Sequence, residues 1–128
     1  MADAKPRINK IANVVIPVTD QDGMIAFYVD KLGFTKRVDE PFNGKYRWVE
    51  VGLGDGETTI ALAPPPEATP TGGNQTGITL QTDDIDAAHT QMSAAGVDVD
   101  AEIQRFGDPV PPMFWFRDAE GNTLLMVQ

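Results

Sequence analysis

Residues 20–33, with the sequence DQDGMIAFYVDKLG, set the pattern for the rest of the chain. Asp20 or Asp22 can cap a helix at its start, apolar residues follow at helical spacing, and Gly33 stands where a left-handed residue ends a helix. The same succession returns 63 residues later over residues 83–96, DDIDAAHTQMSAAG, where Asp83 or Asp84 can be the cap. In both copies a strand pattern precedes the helix and three strand patterns follow it. The sequence therefore predicts an α+β fold made of two tandem βαβββ units.

The two predicted units cover about residues 8–63 and 76–128, and a linker over residues 64–75 joins them. Four prolines and two glycines in this linker exclude a helix or a central strand. A unit of this size buries too little surface to be stable alone. We therefore expect residues 1–128 to form a single domain in which the two units share a core.

Composition excludes several classes of function. Ten basic against nineteen acidic residues give a net charge of −9, which disfavours binding to nucleic acid and to anionic membranes. The chain has no cysteine and one histidine, so disulfides, thiol catalysis and a multi-histidine metal site within one chain are excluded. No apolar run has the length of a membrane span, and the N-terminus lacks a signal-type apolar stretch. We expect a soluble cytoplasmic protein.

Three stretches carry a resemblance to a known family: VVIPVTD at residues 14–20, AFYVDKLGF at residues 26–34 and FRDAEGN at residues 116–122. They resemble the first strand, the helix end and the last turn of the vicinal oxygen chelate superfamily, with Ala119 in place of the usual proline. That superfamily includes glyoxalase I, bleomycin-resistance proteins, fosfomycin-resistance enzymes and extradiol dioxygenases. The resemblance implies the glyoxalase/bleomycin-resistance fold, in which the two βαβββ units form a cupped mixed sheet.

In metal-dependent members of that superfamily a divalent ion lies in the cup, held by side chains from the first and last strand of each unit. The matching positions here are Asn13, Ala61, Gly77 and Leu125. Three of them have no donor atom, and the neighbouring strand positions offer only neutral hydroxyls, which cannot replace the hydration of a divalent cation. The sequence therefore predicts no metal ligand and no cofactor.

Aromatic side chains on the predicted strands indicate a ligand-binding cavity instead. Strand alternation allows only one of Phe114 and Trp115 to face the cup, and the sequence leaves open which one. The alternatives are that the aromatic residues are ordinary core, that Glu50 is surface charge or a general base, and that His89 faces solvent on its helix. The candidate ligand-binding residues are Asn13, Arg47, Trp48, Glu50, Phe106, Phe114 and Trp115.

Three hypotheses of function follow. The first is a metal-independent small-molecule binding protein of glyoxalase/bleomycin-resistance type, a homodimer that sequesters an antibiotic or another aromatic or cationic ligand. The second is an enzyme of the same superfamily: a lyase, epimerase or dioxygenase. It would require metal ligands at a different register, or a cofactor-free mechanism using Glu50 with Arg47. The third is an interaction module whose cup is filled by its own side chains.

Overall fold

The structure is a computed structural model that describes residues 4–42, 44–65 and 69–128. In the first unit, helix α1 continues without a break into a π-helical turn over Phe27–Lys31. The other elements of this unit are β1 (Asn13–Pro17), α1 (Gln21–Ala26), β2 (Thr35–Phe42), β3 (Tyr46–Gly52) and β4 (Thr59–Ala63). The second unit consists of β5 (Gln75–Gln81), α2 (Ile85–Ala94), β6 (Asp98–Val99), β7 (Met113–Arg117) and β8 (Thr123–Val127).

In the described parts of the chain, eight strands form two four-stranded mixed sheets of identical topology. Sheet A has the order β1-β4-β3-β2 and sheet B the order β5-β8-β7-β6. In each sheet the first and last strands of the unit pair in parallel, whereas the remaining pairs are antiparallel. The predicted α+β class with tandem βαβββ units is therefore confirmed.

Both helices begin and end as their sequences predict. The side chain of Asp20 accepts a hydrogen bond from the Gly23 amide, and the side chain of Asp84 accepts one from the Ala87 amide. Gly33 and Gly96 both have φ of 82°, a left-handed conformation that other residues adopt only with strain. Among the residues that the structure describes, no helix is long and apolar enough to cross a membrane.

The sequence pattern over residues 97–103 predicts a strand, but the structure forms only β6 (Asp98–Val99) there. The Asp100 amide still donates to the carbonyl of Trp115, but the Asp100 carbonyl lies 2.7 Å from His89 Nε2. Because the Asp100 carbonyl points to helix α2, it cannot accept a hydrogen bond from strand β7, and the chain leaves the edge of sheet B here. It returns only at an isolated bridge between Gln104 and Met113.

One hydrophobic core is shared by the two units. It combines Ile16, Val49 and Leu62 of the first unit with Phe116 and Leu124 of the second, and α1 and α2 both contribute to it. A buried hydrogen bond also joins the units, because the hydroxyl of Tyr28 donates to Asp118 Oδ2 at 2.9 Å. Burial and the adjacent carboxylate raise the pKa of Tyr28, so it stays a neutral donor.

Candidate functional site

Each sheet has one face in the shared core and one outer face. On β3, Val49 and Val51 are wholly buried, and the intervening side chain of Glu50 points to the opposite face. On β7, Phe114 and Phe116 are wholly buried, whereas Trp115 between them is half-buried on the opposite face.

The two outer faces point away from the core that the units share. Cavities of about 250 and 310 Å³ lie between the units, and Phe34, Leu53 and Leu80 line both of them. Their walls include core-side residues of both sheets, such as Ile60 and Met126. Both helices contribute to this core and so lie on the core side of the sheets, whereas Trp48 on sheet A and Trp115 on sheet B lie on the opposite sides.

On the outer face of sheet A, the carboxylate of Glu50 is held by two donors. Its Oε1 accepts a hydrogen bond from the Thr59 hydroxyl at 2.6 Å, and its Oε2 accepts one from the indole nitrogen of Trp48, also at 2.6 Å. These two hydrogen bonds lower the pKa of Glu50 below its ordinary value, because they stabilise the charged form. Glu50 is therefore an ionised carboxylate in a fixed position, and it also fixes the Trp48 ring.

Further aromatic surface adjoins this pair. Phe42 meets the Trp48 ring edge-to-face, with 6.3 Å between the ring centroids. Tyr46 stands opposite Phe42 in the register of β2 and β3, so both project from the outer face. Phe42 is 42% and Tyr46 39% exposed, and Val15 on the edge strand is 48% exposed. The outer face of sheet A thus combines exposed apolar and aromatic surface with one fixed negative charge.

The outer face of sheet B carries its charged residues at the β6 edge. Its apolar residues are Met113, Trp115, Leu125 and Val127, all half-buried. Strands β5, β7 and β8 contain no acidic residue. Arg117, at the end of β7, forms ion pairs with Asp98 at 2.9 Å and with Asp100 at 2.8 Å. Sheet B therefore presents an apolar surface whose basic residue is already paired.

The structure brings together three of the seven predicted ligand-binding residues on one face. Asn13 pairs with Thr59 in the register of β1 and β4, next to the hydroxyl that binds Glu50, and Trp48 completes the group. Trp115 lies on the outer face of sheet B, which answers the question that the sequence left open between Phe114 and Trp115.

The other three predicted residues do not share these faces. Phe114 is wholly buried on the core side of sheet B. Arg47 lies on the core side of β3, where it forms ion pairs with Asp22 and Asp39, so it cannot anchor a ligand together with Glu50. Because successive side chains on a strand point to opposite faces, residues 47 and 48 cannot lie on the same face of the sheet. Phe106 is 66% exposed in the connection between β6 and β7, outside the strands.

His89 is half-buried rather than solvent-facing. Its ring meets Phe114 edge-to-face at a centroid distance of 4.9 Å, in addition to the contact with the Asp100 carbonyl. The polar neighbours of His89 along α2 gave no sign of this contact, because it depends on where the helix crosses β7.

The positions that correspond to metal ligands do not fit a divalent cation. Ala61 stands between the core residues Ile60 and Leu62, and Leu125 stands between Leu124 and Met126, so both side chains point to the outer faces and have no donor atom. Asn13 offers one neutral amide, and Glu50, opposite Ala61 in the sheet register, offers one carboxylate whose oxygens already accept hydrogen bonds. In the described parts of the chain, no three His, Cys, Asp or Glu side chains are grouped as a metal site requires.

Comparisons with known proteins agree with this architecture. TnmS3, described as an antibiotic binding protein from Streptomyces sp. CB03234, superimposes with a TM-score of 0.84 at 29% identity, covering 97% of this chain and 98% of that chain. A member of the glyoxalase/bleomycin resistance protein/dioxygenase superfamily from Sphaerobacter thermophilus DSM 20745 gives a TM-score of 0.82 at 32% identity, covering 94% of this chain and 97% of that chain. The uncharacterized protein YurT of Bacillus subtilis (strain 168) is 31% identical over 128 residues, covering 93% of this chain and 98% of that protein.

A family model also matches nearly the whole chain. It describes the Glyoxalase/Bleomycin resistance protein/Dioxygenase superfamily and matches residues 10–126. This range includes both helices and every strand of the two sheets except the last residue of β8, and the resemblance found in the three sequence stretches is thereby confirmed. The chain belongs to the glyoxalase/bleomycin resistance protein/dioxygenase superfamily.

Proposed function

We propose that this protein binds an aromatic small molecule of the antibiotic type without converting it, in a site between sheet A of one copy and sheet B of a second copy. The observation that carries the proposal is Trp48, held by Glu50 on an open face that also bears Phe42 and Tyr46. Aromatic surface of this kind binds flat ligands by stacking and area burial. The similarity to TnmS3, an antibiotic binding protein by its description, supports the same kind of function.

The state of Glu50 favours binding over catalysis. A general base works best with a pKa near the working pH. The hydrogen bonds from Thr59 and Trp48 lower the pKa of Glu50 rather than raise it, which makes its carboxylate a weaker base. The Arg47 partner that a cofactor-free mechanism would use lies on the other side of the strand.

Two open faces on one chain also support a homodimer. Both outer faces leave apolar residues in contact with water, among them Val15 and Phe42 on sheet A. A two-fold axis can place sheet A of each copy against sheet B of the other, which creates two equivalent sites. Pairing sheet A with itself would instead bring two Glu50 carboxylates together, whereas β5, β7 and β8 carry no acidic residue.

A complementation experiment tests this arrangement. Trp48→Ala and Trp115→Ala are purified separately, and each is expected to lose most of its affinity for acridine in calorimetric titration. When the two variants are unfolded and refolded together in equal amounts, about half of the dimers should be mixed, and each mixed dimer has one intact pair of faces out of two. About a quarter of the sites should therefore bind acridine again. A site built within one chain predicts no restoration. A mixture that binds no better than its parents therefore contradicts the proposal.

Binding is expected to be independent of divalent metal. A chelator should leave the affinity for acridine unchanged, and added Ni²⁺ or Zn²⁺ should not produce glyoxalase turnover, since Ala61, Gly77 and Leu125 offer no donor. Chelator-sensitive turnover would favour the enzyme hypothesis.

We also propose that the protein acts in the cytoplasm, which fractionation of the producing cells tests.

A further inference from the structure

We infer that Glu50 makes this site selective for planar cations, and that Trp48 supplies the stacking surface in register with that charge. The inference rests on the proposed function and names the ligand class: a flat aromatic ring system carrying a positive charge. It follows from three features of the outer face of sheet A, namely an unpaired charge, a fixed ring and the cost of covering that charge.

The charge on Glu50 is not neutralised by a basic side chain. Among the ion pairs formed by the residues that the structure describes, none includes Glu50. The basic neighbour in sequence, Arg47, is on the core side and is paired with Asp22 and Asp39. The two donors that Glu50 has, a hydroxyl and an indole N–H, are neutral groups, so the site keeps a full negative charge.

The Trp48 ring is oriented by the same carboxylate. Its Nε1–H points to Glu50 Oε2, so the edge of the indole adjoins the charge, and the half-buried ring stands beside Phe42. Glu40 stands opposite Trp48 in the register of β2 and β3 and adds a second acidic residue on this face. A cation over an aromatic face is attracted by the ring quadrupole, and a nearby carboxylate adds to that attraction.

Covering the face makes the charge selective. When a ligand and the second copy exclude water, an unpaired carboxylate loses hydration that a neutral ligand cannot replace. A cation compensates for this loss, and an anion adds repulsion to it. The net charge of −9 would attract any cation to the protein as a whole, so the test must separate a local contact from the long-range field.

Glu50→Gln is a clean variant because it removes the charge and keeps the shape. The amide oxygen can still accept from Trp48, and the amide nitrogen can donate to the Thr59 hydroxyl, so both hydrogen bonds persist. Glu57→Gln is the matched control: it removes the same charge at the β3–β4 turn, where the side chain is 77% exposed. Trp48→Phe removes the indole donor and leaves the Glu50 charge in place.

The probes are 9-aminoacridine, a planar cation near neutral pH, and acridine, its neutral analogue, both measured by calorimetric titration. We expect the wild-type protein to bind the cation at least about tenfold more tightly than acridine. Glu50→Gln should reduce that preference to about threefold or less, because the cation binds more weakly and acridine, which no longer covers an unpaired carboxylate, binds more tightly. Glu57→Gln and Trp48→Phe should keep the preference.

Each other result overturns the inference in an identifiable way. Equal loss of both probes in Glu50→Gln would mean that Glu50 only positions Trp48. If Glu57→Gln lost as much of the preference for the cation as Glu50→Gln, the preference would come from the long-range field of the whole protein. If the wild-type protein binds acridine as tightly as the cation, the inference about Glu50 is wrong, but the proposed function is retained. Should it bind neither probe, the proposed function falls as well.

Discussion

Two hydrogen-bond donors, at different distances along the chain, fix the Glu50 carboxylate and lower its pKa. Trp48 is two positions away on the same strand, and Thr59 stands on the neighbouring strand β4. The first contact follows from strand alternation, which gives residues 48 and 50 one face. The second depends on the pairing of β3 with β4, so only the folded sheet supplies it.

The lowered pKa of Glu50 predicts a pH-dependent difference in stability between the wild-type protein and Glu50→Gln. A carboxyl whose pKa is lower in the folded state stabilises the fold above its unfolded-state pKa. We therefore expect a constant wild-type advantage above about pH 5, which shrinks as pH falls through the lowered pKa of Glu50. Urea unfolding at a series of pH values measures it, with Glu57→Gln as the control. A difference that grows towards acid pH would contradict the assignment.

Tyr28 predicts a second measurable effect at the residue scale. Tyr28→Phe removes the buried hydroxyl that donates to Asp118 across the two units. We expect a loss of about 1–3 kcal/mol in the free energy of unfolding, because a buried carboxylate oxygen loses a donor. Tyr46→Phe changes the same group on the exposed outer face and should be nearly neutral. Equal effects in the two variants would show that the link between the units contributes little.

At the scale of elements, the two helices show how closely the units repeat. Each helix begins at an aspartate whose side chain accepts an amide hydrogen bond, and each is followed by a glycine with positive φ. These features depend on a few adjacent residues, so the sequence predicts them well. Strand β6 behaves differently, since its short length follows from a contact between the Asp100 carbonyl and α2.

The cap of α2 can be tested against its neighbour in sequence. Asp84→Ala removes the carboxylate that accepts from the Ala87 amide and should cost about 1 kcal/mol of stability. Asp83→Ala removes the same charge at an exposed position and should stay within about 0.5 kcal/mol of the wild-type protein. Chemical denaturation compares the two. Similar losses would mean that general charge at the helix start, rather than the cap, provides the stabilisation.

At the scale of the whole molecule, the packing of the units leaves two apolar sheet faces uncovered, and the proposed dimer covers them. Sedimentation equilibrium should give a species of twice the 13.9 kDa chain mass at micromolar concentration. Leu125→Arg places a charge at the centre of the sheet B outer face and should shift the protein towards monomer. Thr90→Arg adds the same charge on the exposed side of α2 and should leave the dimer intact. A wild-type protein that sediments as a monomer would remove the two-chain site.

The sequence by itself determined the repeat, the aspartate-rich start and glycine end of each helix, and the alternation of buried and outward residues on β3 and β7. These are local properties, set by the backbone preferences of a few neighbouring residues and by the period of two along a strand. The tertiary structure alone decided that the helices pack on the core side of each sheet and that Trp48 and Trp115 lie on the opposite sides. It also paired Arg47 with Asp22, 25 residues away. Such contacts depend on how distant segments pack, which no local pattern records.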